Sequence, residues 1–384
     1  MQDDAPTEAF ELVCPTTRIV AVLPAHNEEY SVGAAINSLR RQTIPPDRIV
    51  VIDDRSQDDT VGEAIRAGAE VISLTVNDER KSGALNAVLP RILGTLAAQD
   101  YVLVMDADSS LNEKWIEDAC HVLTADQRVG AVCGAFLGES GAGLLGQIQR
   151  NEFFRYARLL QRRWQALVLS GTGSLFRSEV LRTIAQERGT TLPGVLGDIY
   201  RASSPTEDNE ITIATKTIGW RCMCLPSCET LTEVMPSWKM LWKQRLRWQR
   251  GALRDLRSYG MTATTWWYWL RQLGVYIGYV LALGCYAMMA GAEIDKPGAS
   301  LFWTGGIIAL TFIERTWTAR RSGPAGILLA ALLVPEVIYS LWQALVFFMA
   351  LVHELGATTE VEWAHLQEEV TCTSSYSAEE LIGS

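Results

Sequence analysis

Between Ile19 and Asp108 the chain alternates four short runs rich in β-branched residues with helical patterns. The runs are Ile19–Leu23, Ile49–Ile52, Val71–Leu74 and Tyr101–Met105. Ala35, Ile36 and Leu39 mark one intervening helix, and another lies near Gly83–Leu96. Strands separated by helices of this length form βαβ units, so the expected fold is α/β with a mostly parallel, Rossmann-like sheet. Such sheets bind ligands outside the carboxyl ends of their strands. Three of the four ends are crowded with polar groups: Pro24-Ala25-His26-Asn27-Glu28-Glu29, Asp53-Asp54-Arg55-Ser56 and Asp106-Ala107-Asp108.

None of these four strand runs is followed by a Gly-rich phosphate loop: G-x-x-x-x-G-K is absent from the sequence, and its one G-x-G-x-x-G, at Gly141–Gly146, lies outside them. A carboxylate-rich crevice accepts a diphosphate only with a divalent cation to neutralise it. Asp106 and Asp108, two apart at a strand end, can point to the same side. Their hard oxygens suit Mg2+ or Mn2+. A calcium loop fits less well, since Asp54-x-Ser56-x-Asp58 lacks the Gly and Glu of that motif. A surface turn is also rich in Asp, so D-x-D alone does not decide. Cys222, Cys224 and Cys228 form the only thiol cluster, without a paired C-x-x-C or a nearby His, which favours a buried strand over a zinc site. The net charge of −10 argues against general nucleic-acid binding.

The C-terminal part is built differently. Eleven of the 13 Trp lie at or after Trp220, whereas residues 1–260 hold 29 of the 34 Lys/Arg. Arg271 is the only charge from Tyr268 to Ala292, residues 298–313 carry none, and Glu336 is the only one from Ala325 to Val352. These runs make 266–290, 298–314 and 325–352 transmembrane candidates, the middle one fitting a re-entrant segment as well. Ahead of them, residues 239–257 hold seven Lys/Arg and one acid, Asp255, mixed with Trp and Leu. That is the pattern of a basic amphipathic helix on anionic lipid, and Trp266-Trp267-Tyr268-Trp269 follows at headgroup level. Residues 1–18 hold no apolar stretch long enough for a signal peptide, so the polar region is expected in the cytoplasm. Arg315, Arg320 and Arg321 place the 314–324 loop on that side and the 291–297 loop outside.

Seven motifs occur in order: PAHNEE (24–29), VIDDRSQDDT (51–60), KSGALNA (81–87), VMDADSS (104–110), LSGTGSLFR (169–177), TEDNE (206–210) and QRLRW (244–248). Together they resemble a family 2 glycosyltransferase with a GT-A fold over residues 18–260. More narrowly, the chain is similar to the membrane-integrated branch of cellulose, chitin, hyaluronan, poly-N-acetylglucosamine and NodC-type chitooligosaccharide synthases. The resemblance implies a UDP-sugar donor lined by Pro24, Ala25, Asn27 and Glu28, with Asp54 at the uracil. It places Lys81 and Arg247 at the diphosphate, Asp106 at the nucleotide and Asp108 on the metal. Asp208 matches the catalytic base, and Gly171, Thr172, Gly173, Glu207, Gln244 and Trp248 match the acceptor side. Taken singly, Lys81 also reads as a solvated loop lysine, and Thr206 as a helix N-cap.

The expectation is therefore a multi-pass membrane enzyme of the inner or cytoplasmic membrane, with its catalytic domain in the cytoplasm. It would be Mg2+- or Mn2+-dependent and inverting, and would transfer a sugar to a glycan or glycolipid hydroxyl. The expected divisions are an arm (1–17), the GT-A domain (18–235), an interface helix (236–262), a transmembrane region (263–352) and an acidic tail (353–384). The polymer synthases generally carry N-terminal spans, which are not expected here. Short oligomers, a single transfer, or a channel built by a homo-oligomer are the remaining routes. The rivals are a transferase acting once on a polyprenyl phosphate, lipid or protein, and a non-catalytic membrane scaffold.

Overall fold

The alternation at the N-terminal end folds as β1 (Ile19–Ala25), α1 (Val32–Arg40), β2 (Arg48–Asp53), α2 (Thr60–Arg66), β3 (Glu70–Ser73), α3 (Arg80–Leu93) and β4 (Tyr101–Val104). The structure is a computed structural model and describes residues 17–161, 164–295 and 301–356. Most of the expected arm, the end of the 291–297 loop and nearly all of the acidic tail lie outside the described residues. β2, β1 and β4 are parallel neighbours, and β3 joins β2 in parallel.

The chain continues through β5 (Ser110–Leu111), α4 (Trp115–Ala125), β6 (Val129–Gly138), α5 (Gly143–Gln161), β7 (Ser174–Arg177), α6 (Ser178–Glu187), α7 (Glu207–Thr217) and β8 (Arg221–Thr232). The eight strands form one sheet in the order β3-β2-β1-β4-β7-β6-β8-β5. β7 runs antiparallel to both β4 and β6, and β5 antiparallel to β8. β6 and β8 pair in parallel, so β1–β4, β6 and β8 run one way and only β5 and β7 are reversed: the sheet is mixed but mostly parallel, as expected. Periodicity identified the crossover half, but it carries no signal for the reversed strand inserted beside β4.

Alternate residues of one strand serve opposite faces. Val20 and Val22 pack with Leu85, Val88 and Leu89 of α3 and with Ile211 and Ile213 of α7. Ile19, Ala21 and Leu23 pack with Val32, Ile36 and Leu39 of α1 and with Trp115 and Ile116 of α4. Both faces are covered, which explains why the strands read as nearly continuous apolar runs. Cys222, Cys224 and Cys228 are free thiols buried in β8. Gly134 lies at a register shift between β6 and β8, where a Cβ would come within 2.2 Å of the Cys228 carbonyl oxygen.

Five helices follow: α8 (Trp238–Tyr259), α9 (Trp266–Asp295), α10 (Leu301–Ala319), α11 (Gly323–Ala331) and α12 (Val334–Leu355). The 325–352 run is not one helix: the chain breaks at Leu333, where φ is 58°, and Pro335 opens α12. Among the described residues, α12 alone is long and apolar enough to cross a membrane by length and composition. Arg315 lies within α10 rather than in a loop.

The basic residues of α8 differ most from the amphipathic reading. Arg245 and Arg250 are buried and paired with Glu152 and Glu354, at 2.9 Å in each case. Arg254 joins the same Glu354 carboxylate at 2.9 Å, and Arg257 donates to the Glu354 carbonyl. Part of this basic face is therefore clamped to acids on α5 and α12. Spacing shows where a helix has its charges, not what faces them.

Candidate active site

The carboxyl ends of β1, β2 and β4 open onto one cleft of about 2000 Å3. From the strand ends come Pro24, Ala25, Asn27, Glu28, Asp54, Asp106 and Asp108, with Lys81 from the first turn of α3. The facing wall holds Gly171, Thr172, Glu207, Asp208, Gln244, Arg247 and Trp248. Of the site residues expected from the sequence, only Gly173 does not line this cleft. It packs beneath it, where an added Cβ would meet Leu111 at 3.0 Å and Trp115 at 3.5 Å.

The β1 and β2 loops are locked to each other. Asn27 adopts φ 56°, a left-handed conformation that Asn tolerates. Its amide donates to Ser56 Oγ at 3.0 Å, and its Oδ1 accepts from the Gln57 amide at 2.8 Å. Asn27 thus shapes the pocket mouth. Asp54 Oδ2 accepts from Asn77 Nδ2 at 2.8 Å, while its buried Oδ1 has no hydrogen bond and only Arg55 Nε at 3.5 Å. An unpaired buried acceptor aimed into a cleft is costly without a ligand donor.

Lys81 joins the two walls. Its Nζ lies 2.7 Å from Asp106 Oδ1, 2.9 Å from Glu207 Oε1 and 3.5 Å from Asp208 Oδ1. It is therefore not a solvated loop lysine. Burial alone would lower its pKa, but Asp106, Asp208 and Glu207 hold it well above the ordinary value. Glu207 is buried too, yet the Lys81 and Arg247 charges bring its pKa below the usual carboxylate value. Asp208 differs from its neighbour: burial, opposed by Lys81 and reinforced by Glu207 and Asp106, pushes it up to about 7. Two adjacent carboxylates with divergent pKa values are suited to different roles.

Gly171 sits against this centre. A Cβ there would lie 2.5 Å from Asp208 Oδ2 and 2.8 Å from Lys81 Nζ, so any side chain would displace one of them. Its carbonyl accepts the Asp106 amide at 2.9 Å, which ties the Gly171 loop to the end of β4.

The strand-end side of the cleft is overloaded with acid. Burial and the Asp106 and Glu233 charges push Asp108 up to about 7. Burial and the Asp108 charge push Glu28 up to about 8. Carboxylates crowded in this way fit a divalent cation, whose charge would relieve the repulsion. Among the described residues no three His, Cys, Asp or Glu side chains form a closed metal group. Mg2+ and Mn2+ are commonly held by one or two carboxylates, with substrate oxygens completing the shell.

Thr206 is the N-cap residue of α7, but its hydroxyl makes no cap bond. It donates instead to Asp255 Oδ2 at 3.1 Å, and Asn209 Nδ2 donates to the same oxygen at 2.9 Å. Ser204 Oγ donates to Asp255 Oδ1 at 2.7 Å. Asp255 is fully buried on α8 and thereby fixes the turn that carries Glu207 and Asp208. Arg247 reaches the same turn, donating to the Pro205 carbonyl at 3.2 Å. The Arg245 guanidinium lies 4.3 Å from the centre of the Trp248 ring, holding its plane in the wall. Sequence reasoning did not select Asp255, Glu233 or Glu152; for Asp255 the available signal was one acid alone in a basic helix.

Residues 20–185 match the family described as Glycosyl transferase family 2. The chain is 26% identical over 249 residues to the probable glycosyltransferase YdaM of Bacillus subtilis (strain 168), covering 61% of this chain and 55% of that protein. It is 26% identical over 258 residues to a poly-beta-1,6-N-acetyl-D-glucosamine synthase of Staphylococcus aureus (strain COL), covering 62% of this chain and 57% of that one. The chain thus spans little more than half the length of the curated relatives it matches. Its fold is similar to that of the mannosyltransferase PcManGT from Pyrobaculum calidifontis, solved in complex with GDP-Man and Mn2+. That likeness has a TM-score of 0.54 at 21% identity and covers 82% of this chain and 86% of the other. Residues 20–185 therefore match a family 2 glycosyl transferase domain, and the activity of the whole chain is a matter of proposal.

Proposed function

We propose that this protein is a membrane-attached, metal-dependent, inverting glycosyltransferase that moves a sugar from a UDP-sugar to a hydroxyl of a glycan or glycolipid. The observation that carries the proposal is the Lys81 bridge between donor-side Asp106 and the Glu207–Asp208 turn. It brings a diphosphate-sized cationic point and a carboxylate with a pKa of about 7 to one spot. Asp208 takes the proton from the acceptor hydroxyl as its oxygen bonds to the anomeric carbon. The bond from that carbon to the diphosphate breaks on the opposite face, so the configuration inverts. Lys81 and Arg247 supply positive charge where the leaving diphosphate gains negative charge. Mg2+ or Mn2+, held by Asp108 with Asp106, would add Lewis-acid stabilisation of that diphosphate when bound.

The helical half supports attachment to a bilayer. Leu270, Leu273, Ile277, Val280 and Leu281 of α9 are exposed, as are Ile338, Leu341 and Leu345 of α12. The same helices turn Arg271, Gln272 and Tyr279, and Ser340 and Gln343, toward the cleft. Apolar outside and polar inside is the arrangement of helices in lipid around a polar cavity.

The test is UDP release by detergent-purified protein with Mn2+ and a panel of UDP-sugars, with GDP-mannose alongside. One UDP-sugar should be consumed, and the consumption should stop with EDTA. Use of GDP-mannose alone would overturn the uridine assignment, and full activity in EDTA would overturn the metal.

A further inference from the structure

The two isolated charges of the apolar runs, Arg271 and Glu336, both turn inward. Arg271 lines the cleft, and Glu336 is buried at 2% exposure behind its wall. Arg155 of α5 and Arg315 of α10 converge on that one carboxylate: Arg155 Nη2 lies 3.0 Å and Arg315 Nη1 3.5 Å from Glu336 Oε2. Asn151 Nδ2 also donates to Glu336, at 3.4 Å. The other acid in this region, Glu152, is already engaged by Arg245, by the Tyr339 hydroxyl at 2.6 Å and by Gln343 Nε2 at 2.8 Å.

The charge count is then unequal. Among the described residues Arg155 and Arg315 pair with Glu336 and Arg245 with Glu152, whereas Arg271 lines the cleft without a paired acid; Glu314, 3.3 Å from Arg315, is more than half exposed. Among the described residues this end therefore holds more guanidinium groups than buried carboxylates, whereas the strand-end side of the same cleft is overloaded with carboxylates. Surplus cations in a partly buried wall between apolar helices are expensive unless an anion completes them. A planar guanidinium matches phosphate oxygens in pairs. A neutral glycan would be met by amides and aromatic faces and would leave the surplus charge unanswered. The apolar outer faces of α9 and α12 give a hydrocarbon chain somewhere to lie while its headgroup enters the cleft.

We propose that the helical end of the cleft is a subsite for the phosphate of a lipid-linked acceptor, held by Arg155, Arg271 and Arg315. The inference rests on the reading of this cleft as a donor–acceptor site, and it makes the acceptor an anionic glycolipid whose sugar hydroxyl reaches Asp208. A cleft of about 2000 Å3 exceeds the usual few hundred to about 1000 Å3 of a single-ligand pocket and has room for both substrates.

The experiment is calorimetric titration of the full chain in neutral detergent with octyl phosphate, octanol and inorganic phosphate, on wild type and Arg271→Gln. Binding of UDP with Mn2+ is measured in the same preparations. Octyl phosphate should bind at least about tenfold more tightly than either control, a gap of about 1.4 kcal/mol. Arg271→Gln should lose that preference while its UDP affinity is unchanged. Equal binding of inorganic phosphate, equal binding of octanol, or an unaltered preference in Arg271→Gln would each overturn the subsite. Absent UDP binding in wild type would instead count against the donor reading, so the two failures are distinguishable. Because Arg271 has no acid paired to it among the hydrogen bonds and ion pairs described, its replacement leaves the Glu336 cluster intact. Arg315→Lys, which keeps charge but loses the fork, should retain octyl phosphate binding only weakly; full retention would contradict guanidinium recognition.

Discussion

The two walls of the cleft are held in place by different means. On the donor wall, Asp54, Asp106 and Asp108 leave strand ends whose positions the sheet already determines, and their carboxylates are crowded. On the facing wall, Glu207 and Asp208 stand on α7, and Arg247 and Trp248 on α8. Those helices are joined by buried carboxylates: Asp255 takes Ser204, Thr206 and Asn209, and Glu210 pairs with Arg188 and accepts from Tyr259. α8 is joined in turn to α12 through Glu354. The strand-end wall has acid in excess, which on the proposed function a cation and a diphosphate would complete. The facing wall has its acids satisfied by protein, so its precision depends on helix-to-helix linkage. Damage to the first wall should abolish donor-dependent chemistry, whereas damage to the second should loosen geometry.

The largest effect should come from the residue where the walls meet. Asp208→Asn keeps the shape but cannot take a proton, so kcat should fall by about 100- to 10,000-fold with UDP affinity preserved. Initial-rate kinetics and UDP titration check both parts; equal losses in rate and UDP binding would mean that Asp208 belongs to the donor wall. Asp255→Asn should lower kcat by about ten- to a hundredfold with little change in donor KM, as expected when a base is displaced by a fraction of an ångström. A purely structural Asp255 would instead lower the melting temperature and leave kcat of the folded fraction unaltered.

How much of this was legible in the sequence follows the same division. The donor wall follows from local chemistry: β-branched runs made the strands, and Asp, Asn and Glu after them marked the ligand end. The motifs beyond it, around Asp208 and Arg247, were found by resemblance, and their positions relative to Lys81 could not be read from spacing. Glu152 and Glu354 gave no local signal because each acts through partners far away in sequence, and Asp255 gave only that of one acid in a basic helix. Spacing likewise could not show that Arg245, Arg250 and Arg254 of α8 meet acids on α5 and α12. Leu333 and Pro335 divide the last apolar run, a break that the hydropathy average conceals.

The linkage itself carries smaller effects. Glu354→Gln leaves Arg250 and Arg254 without their carboxylate and should destabilise the helical half by about 3 kcal/mol, read as an earlier transition in detergent-phase thermal unfolding. An unchanged transition would mean that α8 and α12 are held by apolar packing instead. Asp255 is pushed up to about 7 by burial and then by Glu210. A carboxyl with a raised folded pKa binds protons more tightly when folded, so its penalty is present above pH 7 and is relieved as pH falls toward the unfolded value of about 4. Asp255→Asn should therefore compare more favourably with wild type at pH 8 than at pH 5 in the same unfolding assay. Asp208, also at about 7, should make kcat/KM fall about tenfold per pH unit on the acid side. A flat profile between pH 5 and 7 would remove it from the role of base.

The central claim is one displacement across the junction of the two walls, with Asp208 as base on the face opposite the leaving diphosphate. The direct test is the anomeric configuration of the first-formed product, followed by proton NMR from a UDP-α-sugar donor before any mutarotation or further transfer. The account predicts a β-linked product. An α-linked product would require a second displacement or a front-face route, and would contradict the assignment of Asp208.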